Sequence, residues 1–186
     1  CSSQSSYQTV GNNNGTNGQF TYPAPFGHYY KNAKQQYLFK ASELQAAGFS
    51  GGKITELSWE TTAQNGATSN FHGFTIRMGC TNQNSINSWQ SGLSTVFSPQ
   101  TVTASLGWND FQFTTAYEWD GISNLIVEVC FNNLNSGAYT FNWSTPYKIT
   151  PFNSAIYYRS DITSACSFTG SPTGVENKRP VTKFKT

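Results

Sequence analysis

At 186 residues the chain is long enough for one domain with a real core and too short for two comfortable ones. Aromatic residues make up 16% and charged residues only 11%, against roughly 25% charged in ordinary soluble domains. The net charge of +2 is small and scattered, which argues against nucleic-acid or anionic-membrane partners. No run approaches the roughly 18 apolar residues of a membrane span.

Residues 1–21 open the chain as an extended, flexible arm. CSSQSSYQTVGNNNGTNGQF offers only Tyr7, Val10 and Phe20 as anchors, and GNNNGTNG lacks the apolar surface to order itself. Residues 22–186 form the predicted folded unit. SELQAAG predicts a single helical turn, with Ser42 as N-cap, Gln45 as its capping-box partner and Gly48 at the stop. After it come short runs of period-two alternation: KITELSWE, FTIRMGC, NDFQFTT, LIVEVCF, YTFNWS, SAIYYRS and VTKFKT. In FTIRMGC, Phe74, Ile76 and Met78 face one way and Thr75 and Arg77 the other. In YTFNWS, Tyr139, Phe141 and Trp143 oppose Thr140, Asn142 and Ser144. Gly51-Gly52, Asn65-Gly66, Gly107, Asp120-Gly121, Ser136-Gly137 and Gly170 supply turns. The pattern predicts an all-β, two-sheet antiparallel β-sandwich with one short helical turn.

YEWDGISNLIVEVCFNN raises a sharper question, because a carboxylate and a thiol sit inside a strand-like run. Leu125, Val127, Val129 and Phe131 share the predicted core face. Ile126, Glu128 and Cys130 share a more solvated one, so the run reads as scaffold rather than an active-site strand. Lys178, Arg179, Lys183 and Lys185 cluster near the end of the chain and read as a solvated strand end.

Cys1, Cys80, Cys130 and Cys166 form an even set in a secreted-looking composition, which favours disulfides and an oxidising compartment. No CxxC occurs, so no zinc site is expected, and residue spacing leaves all three pairings open. His28 and His72 have no partner at a motif spacing, and neither HExxH nor GxSxG is present. Glu56, Glu118 and Asp120 do not make a convincing glycosidase pair, so no catalytic residue is assigned. No metal site is assigned either; calcium is the one cofactor worth testing, with Asp110, Asp120, Asp161, Asn109 and Asn124 as donors. Five tryptophans and ten tyrosines exceed what one sandwich core needs. Tyr29, Tyr30, Trp89, Tyr157 and Tyr158 are therefore candidate sugar-stacking rings, the ordinary alternative being sandwich-end fillers with wet polar tips.

The succession YLFKASEL, GGKITELSWE, FHGFTIRMGCT, LSTVFSPQTVT, GWNDFQFTTAYEWDGISNLIVEVCFNN, FNSAIYYRSD, CSFTG and KRPVTKF resembles a module of large secreted and cell-surface proteins of the Bacteroidota. Such modules often accompany a type IX secretion sorting domain. The resemblance covers roughly residues 23–184. It implies a jelly-roll-like sandwich, an extracellular location, a structural or adhesive role and no catalytic residue. It also implies a Cys130–Cys166 disulfide, which leaves Cys1 and Cys80. A sorting domain is absent here, so the expectation is either a fragment of a longer protein or attachment by lipid at Cys1. The following SSQSS lacks the acidic export signal of such lipoproteins. Expected partners are further copies of the chain or neighbouring domains. The arm could add as a strand to the next subunit, and head-to-tail addition that does not close builds fibres. The alternative function is a carbohydrate-binding module using the exposed rings.

Overall fold

Alternating apolar residues become the strands of two facing sheets, and the intervening turns become short loops. The computed structural model describes residues 6–134 and 140–186. In chain order these contain β1 (Tyr7–Val10), β2 (Asn32–Phe39), α1 (Ala41–Ala46), β3 (Gly52–Thr61), β4 (Asn70–Thr81), β5 (Ser94–Thr103), β6 (Gly107–Trp119) and β7 (Asn124–Asn132). They continue with β8 (Tyr147–Ile149), β9 (Ala155–Ser160), β10 (Gly174–Glu176), β11 (Lys178–Pro180) and β12 (Thr182–Lys185). A four-stranded sheet, β1-β12-β3-β6, packs on a six-stranded sheet, β10-β9-β2-β7-β4-β5, with a small ribbon, β11-β8, beside them. Every pairing is antiparallel, and the predicted β-sandwich is what the chain forms.

The core lies between the sheets. Tyr37 and Phe39 (β2), Phe74, Ile76 and Met78 (β4) and Leu125, Val127, Val129 and Phe131 (β7) face Leu57, Trp59, Phe111, Trp119 and Phe184 of the other sheet. Phe74 and Phe111 stack across the interface at 5.0 Å. Burying each such side chain contributes about 1.5–3 kcal/mol. Along one flank Thr114 Oγ1 donates to the Val96 carbonyl at 2.9 Å and accepts the Ser98 N–H at 3.3 Å, tying β6 to β5 across the gap between sheets.

Several local expectations are corrected. The helix starts earlier than Ser42: Lys40 is the N-cap, and its N–H donates to Glu43 rather than to Gln45. Gln45 instead donates to the Gly121 carbonyl. Gly48 does end the helix, at φ +102°, with the Gly48 and Phe49 N–H groups donating to the carbonyls of Gln45 and Leu44. YTFNWS is not a strand. Tyr139 lies outside the described residues, and from Thr140 onward the segment makes isolated bridges at Asn142, Ser144 and Pro146. The buried Asn142 amide supplies the reason, since it accepts the Tyr29 N–H and donates to the Thr21 carbonyl, strapping loops together. The Ser136-Gly137 turn also lies outside the described residues.

Residues 6–21 belong to the sandwich instead of forming a separate arm. β1 pairs with β12 of its own chain, Val10 is buried, and the Tyr7 hydroxyl donates to Glu56, which pushes the Tyr7 pKa up to about 12. The Asn-rich segment is ordered by polar contacts rather than apolar burial. Asn13 and Asn14 accept the Gly15 and Ile149 N–H groups at 2.8 and 2.9 Å, and the buried Asn17 accepts the Thr145 N–H at 2.7 Å.

The basic cluster is not a solvated strand end. Arg179 is fully buried, 4.3 Å from the Phe39 ring centre and 2.9 Å from Glu43; burial pushes its pKa down while Glu43 opposes the shift. Lys183 sits over Trp108, Lys185 pairs with Glu56, and Lys178 pairs with Glu176.

Candidate functional site

The largest departure from the sequence expectation is on β7. Ile126, Glu128 and Cys130 do not face solvent: each is at most 3% exposed. β7 is a central strand, and segments 82–93 and 161–173 cover the sheet's outer face above it. Strand register sets the polar floor of that face. Gln36 (β2), Glu128 (β7) and Arg77 (β4) lie directly opposite one another in one row, and Lys34, Cys130 and Thr75 form the next. The Glu128 carboxylate accepts from Arg77 Nη1 and Gln36 Nε2, both at 2.7 Å, and lies 3.4 Å from Lys34 Nζ. A buried carboxylate is tolerable only with such compensation.

The same floor residues hold the covering segments. Gln36 donates to the Gln90 carbonyl at 2.9 Å and accepts the Gln90 N–H at 2.8 Å. Lys34 Nζ donates to the Phe168 carbonyl at 2.9 Å, and Asn32 Nδ2 to that of Thr163 at 2.8 Å. The Cys130–Cys166 disulfide closes and pins 161–173 to β7. Ile86 anchors the other segment in a small apolar cluster with Leu38, Ile126 and Ile156. Trp89 joins the two segments: its Nε1–H donates to the Gly170 carbonyl at 2.8 Å, and its ring lies 4.7 Å from Lys34 Nζ.

A cleft of about 450 Å³ opens between the segments, with Arg77, Trp89, Gln90, Ser91, Ser167 and Thr169 in its lining. A second hollow of about 460 Å³ also borders Trp89, with Asn87, Ser88 and residues 169–172 in its lining. The half-buried Trp89 thus borders two hollows, each with hydrogen-bonding side chains in its lining. This arrangement suits a polar, flat-faced ligand.

The five candidate rings do not form one platform. Trp89 edges the cleft, whereas Tyr158 stacks at 3.5 Å on Phe168 of segment 161–173, which is not in the cleft lining. Tyr29, Tyr30 and Tyr157 gather elsewhere around Arg159, whose guanidinium carbon lies 4.6–5.8 Å from their ring centres. Tyr157 is stacked on Tyr22, and the Tyr29 and Tyr30 planes cross at 89°, so they present no coplanar surface. Sequence reasoning missed Lys34, Gln36, Arg77, Gln90 and Glu128 as site residues. Two opposite charges, each inside an otherwise apolar strand run, were the available signal.

The remaining candidates are dispersed. Among the described residues Cys80 has no disulfide partner; it is exposed and its Sγ accepts the Tyr117 hydroxyl, while Cys1, the other cysteine left for it, lies outside the described residues. His28 is buried edge-on to Phe71, and burial holds its pKa down to about 4. His72 contacts Thr101. Asp110 accepts from Ser58, Asp161 from the Lys31 N–H, and Asp120 from the Ile122 and Ser123 N–H groups. Asn109 and Asn124 likewise hold backbone groups, at Ser105 and Ala41. Among the described residues no three His, Cys, Asp or Glu converge on a point where a metal ion could sit.

No protein-family model matches the chain, and no curated protein matches it. Two solved structures align with it. One contains the cysteine protease and lectin-like domains of Cwp84, a surface layer associated protein of Clostridium difficile, at 9% identity and TM-score 0.47 over 83% of this chain and 32% of that one. The other is the same clostridial protease after propeptide cleavage, at 10% identity and TM-score 0.47 over 83% of this chain and 36% of that one. The chain therefore spans about a third of each. Neither likeness bears on what this chain does.

Proposed function

We propose that the chain is a non-catalytic extracellular adhesive module that holds a glycan in the Trp89 cleft. One observation carries the reading: a half-buried indole, fixed by a hydrogen bond and a cation beneath it, stands in a cleft lined by Gln, Ser and Thr side chains. A preorganised ring loses little freedom when a sugar stacks on it, and neutral donors and acceptors suit sugar hydroxyls. The disulfide supports an extracellular location, because such bonds persist in oxidising compartments. Fibre assembly through residues 1–21 is not part of the proposal, since β1 already pairs with β12 of its own chain and would have to leave it.

A glycan array followed by calorimetry tests the reading. The expected result is binding in the micromolar to millimolar range that weakens at least tenfold in Trp89→Ala and is largely kept in Trp89→Phe. Equal affinity of Trp89→Ala and the unchanged protein would remove the cleft from the function.

A further inference from the structure

We infer that the glycan is acidic and that Arg77 reads its carboxylate; this rests on the glycan reading above. The charged side chains lining the cleft are Lys34, Arg77 and Glu128, two cations against one anion, which leaves one net positive charge. The cations are not equivalent. Lys34 Nζ is spent on the Phe168 carbonyl, Glu128 and the Trp89 ring, and its side chain is 8% exposed. Glu128 is spent as well, both oxygens being engaged at a side-chain exposure of 4%. Arg77 differs. Only Nη1 is used, toward Glu128 and the Cys166 carbonyl, while Nη2 and Nε have no partner among the described residues and the side chain is 31% exposed.

Arg77 therefore brings unused donors and the site's net charge to the same opening. A guanidinium fork matches a planar carboxylate with two parallel hydrogen bonds, and a partly desolvated setting strengthens them. Glu128 holds the guanidinium in place from below, so the fork is oriented before any ligand arrives. The neutral Gln90, Ser91, Ser167 and Thr169 beside Arg77, with the Trp89 face, favour a sugar as the bearer of that carboxylate, rather than an acidic peptide.

The test uses the whole chain and three probes of matched length: an oligogalacturonate, its carboxyl-reduced neutral counterpart, and oligoglutamate. The acidic sugar is expected to bind at least tenfold more tightly than the neutral one. That preference should shrink severalfold between 0.05 and 0.5 M salt, because the screening length falls from about 14 Å to about 4 Å. Arg77→Lys keeps a cation for Glu128 but loses the fork, and should reduce the preference severalfold while circular dichroism stays unchanged. The salt series needs no variant, so a folding defect in Arg77→Lys cannot leave the matter open. Equal binding of both sugars would overturn the acidic assignment and leave the glycan reading standing. Binding of neither sugar, or of oligoglutamate alone, would overturn both.

Discussion

The two faces of the six-stranded sheet solve burial in opposite ways. The inner face is sealed by rings and branched side chains: Phe74, Ile76, Val127, Val129 and Phe131 meet Trp59, Phe111 and Phe184. The outer face is almost as dry over β2 and β7, yet its floor carries Lys34, Gln36, Glu128 and Arg77. Shape and apolar area hold the first; hydrogen bonds, one disulfide and a small cluster around Ile86 hold the second. The difference teaches where function can live. A face covered by loops and bonded by polar groups can leave a gap at its seam, as between segments 82–93 and 161–173.

The largest expected effect breaks the inner face. Trp59→Ala removes a fully buried ring and its hydrogen bond to Thr182, and should destabilise by about 3–5 kcal/mol in equilibrium unfolding. On the outer face, the double replacement Cys130→Ser and Cys166→Ser frees a closure spanning 36 residues. Chain entropy puts that at about 4 kcal/mol. The same variant should lose glycan affinity, since Cys166 lines the cleft, whereas a Trp59 variant still folded should keep it.

A smaller effect tests the cost of charging a buried loop residue. His28 is buried beside Phe71 with its pKa near 4, against 6.5 for the free side chain. Asp161 favours its charged form and Lys31 opposes it, but burial dominates. The unfolded chain binds the proton first, so this contribution is complete above pH 6.5 and is lost as pH falls toward 4. Stability should drop by about 2 kcal/mol between pH 7.5 and 5, and His28→Gln should flatten the slope. A slope unchanged in the variant would assign the pH dependence to groups other than His28. Smallest of all, Trp89→Ala should cost about 1–2 kcal/mol of stability, because the ring is only partly buried, though it packs on the Leu38, Ile86, Ile126 and Ile156 cluster and donates to Gly170.

The inner face was legible in the sequence and the outer face was not. Period-two alternation in FTIRMGC and LIVEVCF correctly assigns Phe74, Ile76, Met78, Leu125, Val127, Val129 and Phe131 to the core. The same alternation sends Ile126, Glu128 and Cys130 to solvent, because periodicity records which residues share a face and not what later covers it. β2 was harder still. NAKQQYLF is half polar and reads as no strand, yet all eight residues are buried: Asn32 and Lys34 hold segment 161–173, Gln35 holds Ala24 and Gln36 holds Gln90. Asn-rich GNNNGTNG reads as unstructured because composition counts apolar area, while its asparagines work as hydrogen-bonding clamps. Of the site itself, Trp89 was legible from its place in a polar loop. Its polar neighbours were not, because they come from three strands and two loops distant in sequence.

The most direct measurement is nuclear magnetic resonance of the labelled protein titrated with the oligogalacturonate, watching the indole Nε1–H of Trp89 and the Nε–H of Arg77. Saturable shifts at both, with the inner-face amides still, are the predicted result. Shifts confined to the Tyr29, Tyr30 and Arg159 cluster, or none at Trp89, would contradict the assignment of the cleft.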